Sequence, residues 1–295
     1  MQRIAIIADI HANLFALEAV VSDLERYEID EIIVAGDLVG RGPQGSDVVH
    51  RIAELGWPSV RGNHEDYLLS FCHGDIPDSW RHTEQWAASR WMARELDDEA
   101  IDYIESLPFS LRAETDDEIR IFHGSPNSHS EGIGEWTPDE RLDEFLATID
   151  GSILACAHTH RPLHYESASG MIINVGSVGL PFNGDWRAQY GLLEGEPGDW
   201  SVSFQQVAYP RQKLLQYYQT SGFLDEGGIT ARLLHWEVRK ARPFLVPFLK
   251  WAELTGRRPT SEHLDRFLDC YDPDRSMAEF LDALRDNKDD ESPPP

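Results

Sequence analysis

The sequence predicts a layered α/β sandwich that runs on into a helical extension. Three observations carry this. Residues 3–62 alternate apolar strand-like runs with helix-periodic runs; the stretch from 109 to 207 is mostly short strand-like runs; and after Pro210 the pattern turns helical and carries no chemical motif. Strand, helix, strand, helix, strand is the pattern of a sheet built with crossover helices.

Each element has its own signal. RIAIIA (3–8) reads as a buried strand, and NLFALEAVVSDLERY (13–27) repeats apolar residues at helical spacing behind Asn13 as N-cap. EIIVAG (31–36) reads as a second strand, GSDVVHRIAELG (45–56) as a helix closing at Gly56, and PSVRG (58–62) as a short third strand. Residues 64–107 read as largely helical, with the run from Trp80 amphipathic throughout. FSLRAE and EIRIFH (109–114 and 118–123) form a hairpin around an acidic turn, 124–136 is a Gly-rich loop, and 138–149 is a helix. Strands follow near 153–157, 171–175, 189–193 and 201–207. Beyond Pro210, residues 212–222, 229–254 and 261–271 read as helices. The predicted division is a chemistry-bearing sandwich over 1–208, a helical extension over 209–286, and a charged, Pro-rich tail over 287–295 with the composition of a disordered segment.

A chain of 295 residues with 41% hydrophobic content can bury a full core. Nothing approaches the roughly 18 consecutive apolar residues of a membrane span, and the start MQRIAIIADIH lacks the apolar region and cleavage site of a secretory signal. A soluble, cytoplasmic protein without a membrane partner is expected. Cys72, Cys156 and Cys270 are widely spaced and form neither a zinc motif nor a disulfide framework. The net charge of -26 repels a nucleic-acid backbone, which weighs against long nucleic acids as partners.

The strand-like runs end in polar clusters: Asp9-Ile10-His11, Gly36-Asp37, Gly62-Asn63-His64-Glu65, His123-Gly124 and His158-Thr159-His160. Ligands of open α/β sheets gather at the carboxyl ends of the strands. In extended chain, residues two apart share a face, so His158 and His160 point the same way. Carboxylates suit hard divalent cations and imidazoles suit transition metals. Asp9, Asp37, Asn63, His11, His123, His158 and His160 suffice for two metals if one carboxylate bridges. Asp37 is the expected bridge, because the second strand is expected to lie centrally. Arg61 and Glu65 are expected to brace the loop rather than touch ligand.

The motifs DIH, GDLVGRGP, RGNHED, FHGSP and AHTHRP, in this order over residues 1–207, resemble those of the calcineurin-like metallophosphoesterases. GDLVGRGP and the later NVGSVGLPFNGDWRAQYGLL look like the bacterial and archaeal single-domain, phosphodiesterase-like branch. The resemblance implies a four-layer α/β/β/α sandwich of two mixed sheets. It implies that Asp9, His11, Asp37 and His160 hold one metal, and Asp37, Asn63, His123 and His158 a second. A hydroxide bridging the metals would attack phosphorus, helped by the fall of a metal-bound water's pKa from 15.7 to about 7. Asp37 and His64 are the implied catalytic residues, with His64 serving the leaving oxygen. Manganese is the favoured metal; iron, zinc, nickel and cobalt also suit the donors.

Departures are informative. Ala157 stands where the family has Gly, and Val175 where it has Pro. Gly40, Arg41 and Gly42 stand where the protein-phosphatase branch has Asp-Arg-Gly, so His64 lacks that branch's aspartate partner and Arg41 becomes a candidate phosphate clamp. Trp136, Trp186 and Arg187 are candidate base or phosphate contacts. The expected substrate is a small phosphorylated molecule, with a phosphodiester or nucleotide favoured; a phosphomonoester and a dinucleoside polyphosphate stay open. The rival of another class is a non-catalytic interaction scaffold. The helical extension, with WEVRKARPFLVPFLKW (236–251), offers a regulatory or homo-oligomer contact, or simply packs on the sandwich.

Overall fold

The computed structural model of the protein describes residues 1–286, so the tail read over 287–295 lies outside the described residues. Strands are β1 (Gln2–Ile7), β2 (Glu31–Val34), β3 (Ser110–Arg112), β4 (Ile119–Phe122), β5 (Ile153–Cys156), β6 (Leu163–Ser167), β7 (Gly170–Asn174), β8 (Ala188–Glu196) and β9 (Asp199–Val207). They form two mixed sheets, ordered β2-β1-β8-β9 and β3-β4-β5-β7-β6.

Side-chain alternation sets the layers. In β1, Ile4 and Ile6 face the second sheet, where they meet Ile153 and Ala155 of β5. Ala5 and Ile7 turn the other way, onto α1 (Leu14–Leu24) and α2 (Gly45–Leu55). Leu154 and Cys156 of β5 pack beneath α6 (Asp139–Thr148) with Phe145 and Leu146. The outcome is a four-layer α/β/β/α sandwich. Asn13 caps α1 by accepting from Ala16 N at 3.0 Å, and α2 closes at Gly56 in the left-handed conformation.

Within the sandwich, four readings need correction. Strand β2 is an edge strand, not a central one. PSVRG makes a single bridge, Ser59 to Val34, and no strand, since the chain turns at once into α3 (Asn63–His73). The amphipathic run from Trp80 is cut by 3-10 turns before α4 (Ala87–Arg94) and again before α5 (Asp98–Ser106), whose N-cap is Asp97. Strand β6 has no counterpart in the reading, because LHYES is polar and pairs as the outer strand of its sheet.

The extension holds α7 (Arg211–Thr220), α8 (Phe223–Glu226), α9 (Gly228–Lys240), α10 (Leu245–Leu254), α11 (Leu264–Cys270) and α12 (Met277–Asp286). The single run read over 229–254 breaks at Ala241 (φ 51°), ahead of Pro243. Leu214, Tyr218, Phe223 and Leu234 share one core with Leu17, Val48 and Trp91 of the sandwich. The opposite face of α9, with Ile229 and Leu233, joins Phe248, Trp251 and Phe267 in a separate outer cluster. No helix among the described residues is long and apolar enough to cross a membrane.

Candidate metal centre

A strained backbone aims the donors. Among the described residues, Asp9 (φ 51°), His11 (50°), Ala12 (54°), Asp37 (54°), Arg41 (60°), His158 (67°) and His160 (57°) are left-handed although none is glycine. Such conformations cost about 1–3 kcal/mol each and persist where neighbours over-determine them. Here the pairing of β1 with β2 continues past both strands: Asp9 N donates to Gly36 O, His11 N to Asp37 O and Ala12 N to Leu38 O, at 2.8 to 3.0 Å. The two loops are thereby zipped side by side. Gly62 is required where α3 meets them, because a Cβ there would fall 2.1 Å from Asp37 Oδ1.

Glu65, fully buried, braces the whole arrangement. One carboxylate accepts from Asp37 N (3.0 Å), Leu38 N (2.7 Å), Val39 N (3.1 Å) and Gly62 N (2.7 Å). Burial, and then the nearby Asp37 charge, push its carboxyl up to about 7. Arg61 is spent on Asp66 and on the Glu105 carbonyl.

The structure brings Asp9, His11, Asp37, Asn63, His123, His158 and His160 together. Asp9 Oδ1 lies 3.4 Å from His160 Nε2 and 3.6 Å from His11 Nε2. Asp37 Oδ2 lies 3.7 Å from His11 Nε2 and 3.3 Å from His123 Nε2, so it faces both halves despite its edge strand. Asn63 Oδ1 completes the second half, 3.1 Å from His123 Nε2 and 2.8 Å from His158 Nδ1. Among the described residues three groups of ligand type result, Asp9–His11–His160, Asp37–His123–His158 and, between them, His11–Asp37–His64.

These residues fit cations. Nδ1 of His11, His123 and His160 faces a backbone carbonyl, of Val39 (3.2 Å), Ala35 (2.9 Å) and Leu180 (2.5 Å) respectively. To donate there, Nδ1 must carry the proton, which leaves Nε2 as a lone pair aimed inward, the orientation that metal-ligating histidines adopt. His11 Nε2 and His160 Nε2 then meet lone pair to lone pair at 3.0 Å, a repulsive contact that a cation would reverse. Among the described residues, Asp9 Oδ1 is buried without a hydrogen-bond partner, a costly state for a carboxylate unless it binds a cation. Burial pushes His11 well below the usual imidazole range and His158 down to about 4. Burial, the largest single influence, opposes charge on His123, but the Asp37 carboxylate, Asp9 and the Ala35 carbonyl together outweigh it and raise this imidazole to about 10. A bound cation would take over the role of that proton, because a ligand imidazole is neutral.

His64 stands beside the donors, its backbone N donating to Asp37 Oδ1 at 2.8 Å. Burial pushes its imidazole down to about 3. Arg41 Nε donates to His64 Nε2 (3.1 Å), and Arg41 Nη1 donates to Glu237 Oε2 (3.0 Å). Glu237 sits on α9, is fully buried, and its Oε1 accepts from Phe244 N and Leu245 N at 2.8 Å. Sequence reasoning missed Glu237; the signal was an acid set between Leu234 and Val238 on the inward face of a helix. Arg187 is held by Asp185 and Gln206, Trp186 packs on Tyr209 beneath the Arg211 guanidinium, and Trp136 is 60% exposed.

The model of the calcineurin-like phosphoesterase family matches residues 2–162, more than half of the chain. The crystal structure of a metallophosphoesterase from Sphaerobacter thermophilus superposes with a TM-score of 0.66 and 28% identity, over 81% of this chain and 100% of that one. A hypothetical protein from Pyrococcus horikoshii shares the fold, with a TM-score of 0.68 and 21% identity over 79% of this chain and 98% of its own. An uncharacterised protein of Methanocaldococcus jannaschii is 27% identical over 227 residues, 71% of this chain and 89% of its own. A symmetrical bis(5'-nucleosyl)-tetraphosphatase of an Acidovorax species is 32% identical over 119 residues, 38% of each chain. The chain belongs to the calcineurin-like phosphoesterases, metal-dependent hydrolases of phosphate esters.

Proposed function

We propose that the chain is a dinuclear phosphoesterase of small substrates, with phosphodiesters or nucleotides favoured. One observation carries the reading: Asp37 lies between two donor groups, beside His11 with Asp9 and His160 on one side and beside His123 with the partly buried Asn63 and His158 on the other. When bound, two divalent cations, manganese first, would activate water and neutralise phosphoryl oxygens. The chain's own part is to hold the imidazoles in one tautomer through backbone carbonyls, to fix both ligand loops through Glu65, and to place Arg41 against His64. Arg41 and His64 share one hydrogen bond, so an oxygen entering between them meets a guanidinium donor and an imidazole together. Arg41 is assigned to a phosphoryl oxygen and His64 to the leaving oxygen. The tetraphosphatase relative favours a second reading, hydrolysis of a dinucleoside polyphosphate.

The test uses metal-stripped protein refilled with manganese, assayed on bis-p-nitrophenyl phosphate and p-nitrophenyl phosphate beside Asp37→Asn. Turnover that needs manganese and disappears in the variant supports the phosphoesterase, and the ratio of the two rates reports diester or monoester preference. Absence of both turnover and metal uptake would move the protein to the interaction-scaffold class.

A further inference from the structure

A cavity of about 220 Å³ opens against Asn63, His64 and Arg41, on the side where the extension covers the sandwich. Tyr67, Trp86 and Met92 form one wall; Leu234 of α9 and Leu245 and Leu249 of α10 form the other. The rings are fixed in place. Trp86 stacks on Trp80 with centroids 3.9 Å apart and planes 25° apart, and Tyr67 lies 5.5 Å from Trp86. Polar atoms in the wall are largely spent on one another: the Tyr67 hydroxyl pairs with Ser89 Oγ at 2.9 Å, and Thr230 Oγ1 donates to the Gln85 carbonyl at 2.6 Å. No carboxylate lines the space, and Arg41, its cation, is already paired with Glu237.

This is a poor setting for a phosphate or a sugar, and a good one for a flat apolar group. The volume is below the roughly 300–1,000 Å³ of pockets that enclose a drug-sized ligand, so it suits one ring system rather than a whole nucleotide. A larger depression of about 780 Å³, lined by Trp57, Tyr103 and Glu114, has none of the donor-cluster residues Asp9, His11, Asp37, Asn63, His123, His158 and His160 in its wall. The smaller cavity has Asn63, a member of the donor cluster, and His64, the group assigned to the leaving oxygen.

We propose that this cavity is the leaving-group subsite, and that it takes an uncharged aromatic ring carried by the leaving group, an aryl ring or a nucleobase. The proposal rests on the phosphoesterase reading above. It makes the extension a specificity element, because α9 and α10 supply Thr230, Leu234, Leu245 and Leu249, a third of the lining residues.

The test is binding to the full-length, manganese-loaded protein, measured by isothermal titration calorimetry with phenylphosphonate, methylphosphonate and inorganic phosphate. Burying one ring face and edge from water at about 25 cal/mol per Å² predicts that phenylphosphonate binds at least about tenfold tighter than methylphosphonate. That ratio narrows towards one in Leu249→Trp, which fills the space, and in Trp86→Leu, which removes the ring face. Should either variant fold poorly, the wild-type ratio decides by itself. Competition by adenosine against phenylphosphonate would identify the ring as a nucleobase; phenylphosphonate preference without it would identify an aryl group. Equal affinity for phenyl- and methylphosphonate, with both bound, overturns the subsite and leaves the phosphoesterase standing. If manganese-loaded protein binds none of the three and hydrolyses neither nitrophenyl ester, both readings fall together.

Discussion

Glu65 touches no substrate-facing atom, yet four backbone N–H groups from two loops converge on its carboxylate. Glu65→Gln keeps the shape and replaces one acceptor oxygen with a donor, setting N–H against N–H in a buried space. Groups that orient metal ligands are typically worth 10–100-fold in metal affinity or activity. We expect Glu65→Gln to bind manganese about tenfold or more weakly, measured by titration of metal-stripped protein; an unchanged affinity would mean the loops hold themselves. His64→Asn separates a different function. With His64 serving the leaving oxygen, kcat should fall by about 10²–10⁴-fold while manganese stoichiometry, measured by elemental analysis, stays at the wild-type value. Metal loss in that variant would instead make His64 a ligand, a geometry for which its closeness to His11 and Asp37 leaves room. At this scale the ligand-type residues stand out in the sequence, because each follows a strand-like run; the packing of two separate sheets, not local spacing, brings them together. Glu237 was not legible, since its partner Arg41 is 196 positions away and nothing local marks the pairing.

Helix α9 carries two apolar faces, and the buried side chain between them, Glu237, makes polar contacts rather than apolar ones. Glu237 ties the N-terminal end of α10 to Arg41, and through Arg41 to His64. Glu237→Gln retains an oxygen for the Phe244 and Leu245 N–H groups but gives up the charge opposite Arg41. A positioning role predicts a fall of about tenfold in kcat with manganese content unchanged, and the same direction in Arg41→Lys, which cannot hold His64 and Glu237 with one planar fork. Glu237→Ala should add a stability loss of about 3–5 kcal/mol, because it strands a largely buried guanidinium and two helix-end N–H groups. If thermal denaturation shows that loss while kcat of Glu237→Gln stays at wild type, the pair is structural alone. The strands misread from sequence failed in opposite directions. LHYES pairs as an outer strand and needs no continuous apolar run, whereas PSVRG has strand-like composition but its neighbour β2 ends after four residues. Strand order was equally hidden: Asp37 reaches both donor groups through its loop and its left-handed backbone, on a strand that lies at the sheet edge.

Over the whole molecule, the question is whether a boundary near 208 separates two folding units. Composition shifts there, but the burial pattern crosses it. Leu214, Tyr218, Phe223, Leu234 and Val238 all lie in the same core as residues of α1, α2 and α4, while α10 to α12 gather round their own cluster. The apolar segment 236–251 is mostly used inside the chain: Trp236, Phe244, Phe248 and Trp251 pack in that cluster, and Val246 is its exposed large apolar side chain. Full burial of one large apolar side chain contributes about 1.5–3 kcal/mol, and a domain's net stability is about 5–15 kcal/mol. Removing five such side chains and baring the surfaces beneath them therefore takes away an amount comparable with the whole. A chain ending at residue 210 should lose its cooperative thermal transition and bind an apolar dye. A chain ending at residue 240 keeps those five contacts and should still melt cooperatively, at a lower Tm, with its manganese sites intact but without the ring preference that Leu245 and Leu249 confer. A sharp, wild-type-like melt and full metal uptake in the 210-residue chain would show that the sandwich folds by itself, and that the extension contributes specificity without contributing to the core.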